Sequence, residues 1–257
     1  MPPKTAETFE LFRQEIDESN DRRERLIKAS RDVTNISKKA IFLLHRIILE
    51  DTDDDRGRRA AVKGRSKLDE ARPYFAAMRL ELVGDRFWRH QRQVSPAVQE
   101  YIEALSFAHY LEHGSIIPFN DTQAAFSDAD GLYFPLTVSD YLLGLSDLTG
   151  ELMRFAISNI SRRGGSTTAN DICRLVRDCK AGQFPHFEQF IPHIRDLGKK
   201  QSVTSSSLEK IEAAAYAVMV RGSEFDLPPE ILEDLIQQTT VRFDIGRRDD
   251  SLYNNGS

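Results

Sequence analysis

The sequence predicts an all-α protein: a single bundle of about seven helices, the first of them very long. Three observations carry that expectation. From Thr5 to about Leu49 an apolar helical repeat runs without a glycine or proline to interrupt it. Between Ser139 and Arg154 the apolar residues Tyr141, Leu145, Leu148 and Leu152, with Phe155 just beyond, recur at alternating four- and three-residue steps, the spacing of a helix face that packs. The chain of 257 residues also shows no strand alternation of any length, no glycine-rich phosphate loop and no internal repeat.

The first helix begins its stripe at Phe9, Phe12 and Ile16 and carries it on through Ile27, Val33, Ile36, Ala40, Leu44 and Ile47. The charged run Arg22-Arg23-Glu24-Arg25 within it reads as a solvated helix face, or as a weak nuclear-import or phosphate-binding patch. Asp51 to Asp55 and Gly57 then break the pattern. They form an acidic turn that lacks the spaced ligands of a calcium loop. A second helix is expected from about Arg58 to Val83, kinked at Pro73 and ended by Gly84-Asp85. A third starts in the Phe87 region or at a cap on Ser95-Pro96 and runs to about His113.

Gly114 to Thr137 is mostly connection, with one helical turn after Asn120. Thr137-Val-Ser-Asp140 reads as a capping box that launches the central helix, which ends before a turn at Gly164-Gly165-Ser166. Helices follow over about Thr168 to Lys180, near Phe187 to Lys199, over Leu208 to Val220 with a stop at Arg221-Gly222, and over Pro229 to Gln238. Residues 1–245 are expected to form one domain, and Gly246 to Ser257 a disordered polar tail.

Composition narrows the function classes. Hydrophobic residues make up 40% and charged residues 29%, no run approaches eighteen apolar residues, and the first residues are no signal peptide. A protein of the cytoplasm and nucleus, off the membrane, is expected. Cys173 and Cys179, six apart in one predicted helix, read as reduced thiols. A net charge of −5 argues against a free-standing nucleic-acid binder with a dominant basic face, so a partner would supply much of the positive surface. His186 and His193 are separated by Pro192 and lack an accompanying ligand set, which disfavours zinc.

Three groups of residues could carry chemistry. On the central helix a second stripe runs one position behind the apolar one: Asp140, Gly144, Asp147 and Glu151. Asp147 and Glu151 stack one turn apart, so something positive should sit between them, an arginine or a metal ion. On the third helix Glu100 and Glu103 share a stripe with Phe107 and Tyr110, and carboxylates placed among aromatics need partners. Trp88, the single tryptophan, lies among Arg86, Arg89, His90 and Arg92. That cluster is either a base-stacking and phosphate site for single strands or a packed Trp with arginines reaching outward.

Four blocks carry a family likeness. RERLIKASRDVTNISKKAIFLLHRI (Arg23 to Ile47), QEYIEALSF (Gln99 to Phe107), DYLLGLSDLTGELMR (Asp140 to Arg154) and AYAVMVRGSE (Ala215 to Glu224) resemble the translin superfamily, most narrowly its translin-associated factor X branch. The resemblance implies a curved bundle of about seven helices. It implies a subunit that assembles with translin into a closed hetero-oligomeric shell, cutting single-stranded RNA inside with magnesium, or manganese in its place. Single-stranded DNA is a further ligand the family admits.

Carried over residue by residue, the family's catalytic, metal-holding acids fall on Glu100 and Glu103 in QEYIEA and on Asp147 and Glu151 in SDLTGE. Asp147 and the RGSE at Arg221 separate the factor X branch from translin itself. The departures are Pro73 and Pro96 within expected helices, a short connection at Gly114 to Thr137, and an import segment reduced to RRER. With no histidine in the motif, the nucleophile implied is a water activated by the metal. The rival readings are a non-catalytic structural partner of translin, whose acids form salt bridges, and a single-stranded nucleic-acid-binding subunit.

Overall fold

A computed structural model describes residues 3–50, 55–160, 165–180 and 188–224, with the single positions 231 and 238. Among these, eight α-helices run in order: α1 (Pro3–Glu50), α2 (Arg56–Leu68), α3 (Arg72–Glu81), α4 (Arg86–His113), α5 (Phe119–Ala125), α6 (Val138–Asn159), α7 (Gly165–Lys180) and α8 (Leu197–Glu224). α2 and α3 continue through a 3-10 turn at Asp69–Ala71, so seven helical rods result. The only strands among the described residues are the two-residue β1 (Ser127–Asp128) and β2 (Gly131–Leu132), an antiparallel hairpin. The all-α expectation and the very long first helix both hold. No helix is long and apolar enough to cross a membrane among the described residues.

Contacts divide the chain into two compact units, Met1–Ile48 with Asp53–Gly144, and Leu49–Thr52 with Leu145–Ser257. The first unit is built on α1, α2, α3 and α4. At 48 residues α1 spans about 72 Å, from a rise of about 1.5 Å per residue. Its stripe is buried from Leu26 on, through Val33, Ala40 and Leu44, whereas Phe9, Phe12 and Ile16 are exposed.

The centre of this unit is aromatic. Phe75 of α3 meets Tyr101 and Phe126 with ring centroids 5.1 Å apart, and Tyr133 and Phe134 at just under 6 Å. The hairpin exists to deliver three of those rings. Tyr133 N–H donates to Phe126 C=O at 2.8 Å, and Arg79, paired with Asp128, lies over the Tyr133 ring. Edge-to-face rings of this kind add about 0.5–1.5 kcal/mol per pair beyond the area they bury.

Proline and glycine fall where backbone chemistry places them. Pro73 sits in the first turn of α3, where a missing N–H costs nothing, and the expected kink is the 3-10 turn just before it. Pro96 lies inside α4, which runs on unbroken, so the third helix starts in the Phe87 region. Gly114, at φ +67°, ends α4 in the left-handed conformation and donates its N–H to Tyr110 C=O at 2.8 Å.

The second unit carries most of α6 together with α7 and α8. α7 packs on α8, and Arg177 pairs with Glu212 between them. Cys173 is a free thiol whose pKa burial pushes up; the side chain of Cys179 lies outside the described residues. Three expectations change here. α7 starts at Gly165, inside the stretch expected to be a turn. The helix expected near Phe187 to Lys199 is only a 3-10 turn at Glu188–Phe190, because Pro192 and a left-handed Asp196 (φ +67°) interrupt it. α8 begins at Leu197, well before Leu208, and passes Arg221-Gly222 to end at Glu224. The Pro229–Gln238 helix, the 246–257 tail, His186 and most of the acidic turn lie outside the described residues.

Arg23, Glu24 and Arg25 of the charged run of α1 are exposed, as a solvated face requires, but the run is not a free basic patch. Arg25 Nε donates to Glu81 Oε1 at 2.6 Å and Arg22 Nε to Oε2 at 3.1 Å, tying α1 to the end of α3. The Arg25 hydrogen bond, with Arg22 behind it, holds the Glu81 carboxyl below the usual carboxylate range. A depressed carboxylate pKa contributes stability that is present above the unfolded value and lost as pH falls through the folded one. Glu81→Gln is therefore expected to lower the melting temperature at pH 7, with the gap from wild type closing below about pH 4. Thermal melts from pH 7 to 3 measure this.

Candidate acidic site

α6 is positioned at its first turn. Thr137 caps it as the spacing predicts: Asp140 N–H donates to Thr137 Oγ1 at 3.1 Å, and that hydroxyl donates to Asp140 Oδ2 at 2.8 Å. The Asp140 side chain is buried. Its other oxygen accepts from Ser95 Oγ and, at 2.9 Å, from Gln99 Nε2, both on α4. One turn on, α6 comes against α4 itself. A Cβ on Gly144 would lie 2.8 Å from Ile102 Cβ and 3.0 Å from the Gln99 carbonyl oxygen. Only glycine permits that approach.

These contacts belong to the acidic stripe of α6, which is far from a solvated face. Asp140, Gly144 and Glu151 are buried and Asp147 is half-buried, while Leu145, Leu148, Leu152 and Phe155 fill the apolar side. On α4 the neighbours Tyr101, Ile102, Ala104 and Leu105 are buried, and Glu100 and Glu103 are half-buried.

The four predicted acids occupy two helices as two pairs, three residues apart on α4 and four apart on α6. Side-chain cations stand against Glu100, Glu151 and Asp147. Lys38 Nζ lies 4.0 Å from Glu100 Oε2. Arg154 lies 3.3 Å from Glu151, whose side chain is 11% exposed against 62% for the arginine. Lys200 Nζ donates to Asp147 Oδ2 from the first turn of α8. The spacing argument asked for a positive group between Asp147 and Glu151; the structure instead sets a separate side-chain cation against each. Lys200 lies 53 residues from Asp147 along the chain and no local pattern announces it.

Among the described residues no three His, Cys, Asp or Glu side chains are grouped to hold a metal ion. The chemistry of the donors nevertheless fits a hard divalent cation. All four are carboxylates, and Glu100, Asp147 and Glu151 already attract the charge such an ion would bring.

Trp88 is on the surface, 64% exposed, which decides against the packed alternative. Arg86, Arg89 and Arg92 are exposed on the same arc of α4, and no carboxylate pairs with them among the described residues. His90, one residue away, is buried. Its pKa is lowered, first by burial and then by the charges of Arg22 and Arg89.

The Translin family model matches residues 21–222. That span includes both acid pairs and nearly all the described helices. The chain belongs to the Translin family. Its relatives in that family include translin-associated protein X of Rattus norvegicus, 35% identical over 256 residues, covering 92% of this chain and 85% of the relative. The Pongo abelii protein of the same name is 34% identical with the same coverage. A Schizosaccharomyces pombe homolog is 27% identical over 226 residues, 85% of this chain and 90% of its own.

Two solved structures share the fold. Apo-NeC3PO has a TM-score of 0.58 at 15% identity, covering 82% of this chain and 94% of its own. AfC3PO in complex with duplex RNA has a TM-score of 0.55 at 20% identity, covering 83% and 97%. The translin-like architecture expected from the four sequence blocks is thereby established.

The glycine contact yields a paired test. Gly144→Ala is expected to destabilise, because overpacking strain of about 1–3 kcal/mol exceeds the helix-propensity gain of about 1 kcal/mol. Gly150→Ala, on the same helix with nothing within 4 Å of its Cβ, should instead stabilise by about 0.5–1 kcal/mol. Urea denaturation of the two variants reads opposite signs.

Proposed function

We propose that this chain is the catalytic subunit of a translin-type hetero-oligomer, a magnesium-dependent endoribonuclease that cuts single-stranded RNA phosphodiesters. The observation that carries the reading is the placement of four carboxylates at buried or half-buried positions of two helices, with cations against Glu100, Asp147 and Glu151. Taking a carboxylate out of water costs several kcal/mol unless it is matched by positive charge, and packing alone does not call for four. Membership of the Translin family and the fold shared with an RNA-bound neighbour support RNA as the ligand class.

Glu100, Glu103, Asp147 and Glu151 are the residues that would hold magnesium, or manganese in its place. When bound, the ion supplies Lewis-acid polarisation of the phosphate and a more acidic water. The chain's own part is to fix the carboxylates. α6 is anchored through Asp140 to α4, and the buried apolar stripe of α6 sets the face that Asp147 and Glu151 share. RNA outside the acids meets Trp88 by stacking and Arg86, Arg89 and Arg92 by their phosphate-binding guanidinium groups. The net charge of −5 leaves further positive surface to a translin-like partner, and we assign the assembly to cytoplasm and nucleus.

The second reading, a non-catalytic partner whose acids form salt bridges, is favoured by the Lys200–Asp147 and Arg154–Glu151 pairs themselves. Asp147→Asn separates the two. Partly exposed ion pairs contribute about 0–1 kcal/mol, so the melting temperature should move little. Cleavage by the reconstituted assembly in magnesium should fall about 100-fold or more, since several kcal/mol of transition-state stabilisation is lost. A clear loss of stability with cleavage near the wild-type rate would establish the structural-partner reading.

The outer contact is tested independently. Trp88→Ala should weaken single-stranded RNA binding by about 1–3 kcal/mol, the contribution of one stacked base, and leave the melting temperature close to wild type. A filter-binding titration at fixed salt reports the first and a thermal melt the second.

A further inference from the structure

The cation on Asp147 differs from the one on Glu151. Arg154 reaches Glu151 from three residues away on the same helix, and its own side chain is largely in water. Lys200 comes from another element and is held there. α8 is fastened to α6 at the residue after Lys200 and one turn beyond it: Gln201 Nε2 donates to Ser146 Oγ at 3.3 Å, and the hydroxyls of Thr204 and Thr149 meet at 3.0 Å. Gln201, Thr204, Ser146 and Thr149 are all buried, so this seam is fixed, and it sets the Lys200 ammonium on the Asp147 carboxylate with both side chains about a quarter to a third exposed. Lysine ordinarily keeps its head in water. Here the fold directs it onto one of the four acids.

We infer that Lys200 is the resident counter-ion of Asp147 and a positioning residue for the metal, one that a divalent cation has to displace. The inference rests on the metal-holding role proposed above for Asp147. Without RNA the ammonium competes with magnesium, and the site binds the ion weakly. An RNA phosphate offers Lys200 another anion, so the two ligands favour each other's binding through one side chain. That coupling is reciprocal: whatever factor RNA adds to metal affinity, metal adds to RNA affinity. The device keeps a hydrolytic site poorly loaded until its substrate arrives.

The test is magnesium and manganese binding to the full chain by titration calorimetry, without any cleavage assay. Wild type is compared with Lys200→Met, Lys200→Arg and Asp147→Asn. Removing the ammonium should tighten metal binding by on the order of ten-fold, the scale of a partly exposed charge contact. Lys200→Arg, which keeps the charge, should bind metal as weakly as wild type, and Asp147→Asn should lose the binding. Adding a single-stranded oligonucleotide that is not cut should raise metal affinity in wild type and much less in Lys200→Met. Should Lys200→Met not fold, Lys200→Gln removes the same charge and takes its place. Unchanged metal affinity in the neutral variants, with binding still lost in Asp147→Asn, would overturn the role of Lys200 and leave the metal-holding role of Asp147 intact. No metal binding in wild type or in the neutral variants would overturn both.

Discussion

A buried carboxylate, Asp140, sets the register of the chain around its acids. It tolerates burial because Thr137, Ser95 and Gln99 supply the hydrogen bonds that water would otherwise make. Those bonds join the first turn of α6 to α4. Removing any donor would leave charge in a dry place, which is more damaging than the absence of the whole network. Register fixed at Asp140 then runs along a continuous helix, two turns to Asp147 and three to Glu151. The same bonds assign Ser95 a role its sequence context conceals, since a Ser before a Pro looks like a helix start and here serves another helix.

The architecture was legible because its signals are local. A 45-residue stripe without a breaker, a capping box at Thr137 and a glycine after His113 each declare themselves within one or two turns. The failures lie in unit 2, where local signals oppose the outcome. Ser202 to Ser207 reads as a poor helix because serine and threonine compete for the backbone. In α8 that competition is turned inward: Ser205 and Ser206 donate to carbonyls four residues back, and Thr204 and Ser207 are buried. Tertiary burial overrides propensity there, and no pattern within the segment encodes it.

The candidate site divides along the same line. Like charges stacked on one helix demanded compensation, and spacing alone identified Asp147 and Glu151 as positions that need it. What compensates them could not be read, because Lys200 is brought to Asp147 by the docking of α8 and Lys38 to Glu100 by that of α1. Short-range chemistry names the unsatisfied group, while the group that satisfies it is a property of topology. The same division explains RRER, whose meaning depends on Glu81, 56 residues downstream of Arg25.

The first sixteen or so exposed residues of α1 have a consequence of their own. From residue 6 to 21 no side chain is buried, and the supports there are weak neighbours along the helix, such as Arg13 with Glu10 and Asp17. A helix that short is marginal in water by itself, so its order is inherited from the turns beyond Leu26 that are packed. Unwinding that begins in these exposed turns costs little until it reaches the two arginines clamped on Glu81. A protease would find that boundary: its cuts would fall before Arg22, leaving both pairs of acids intact.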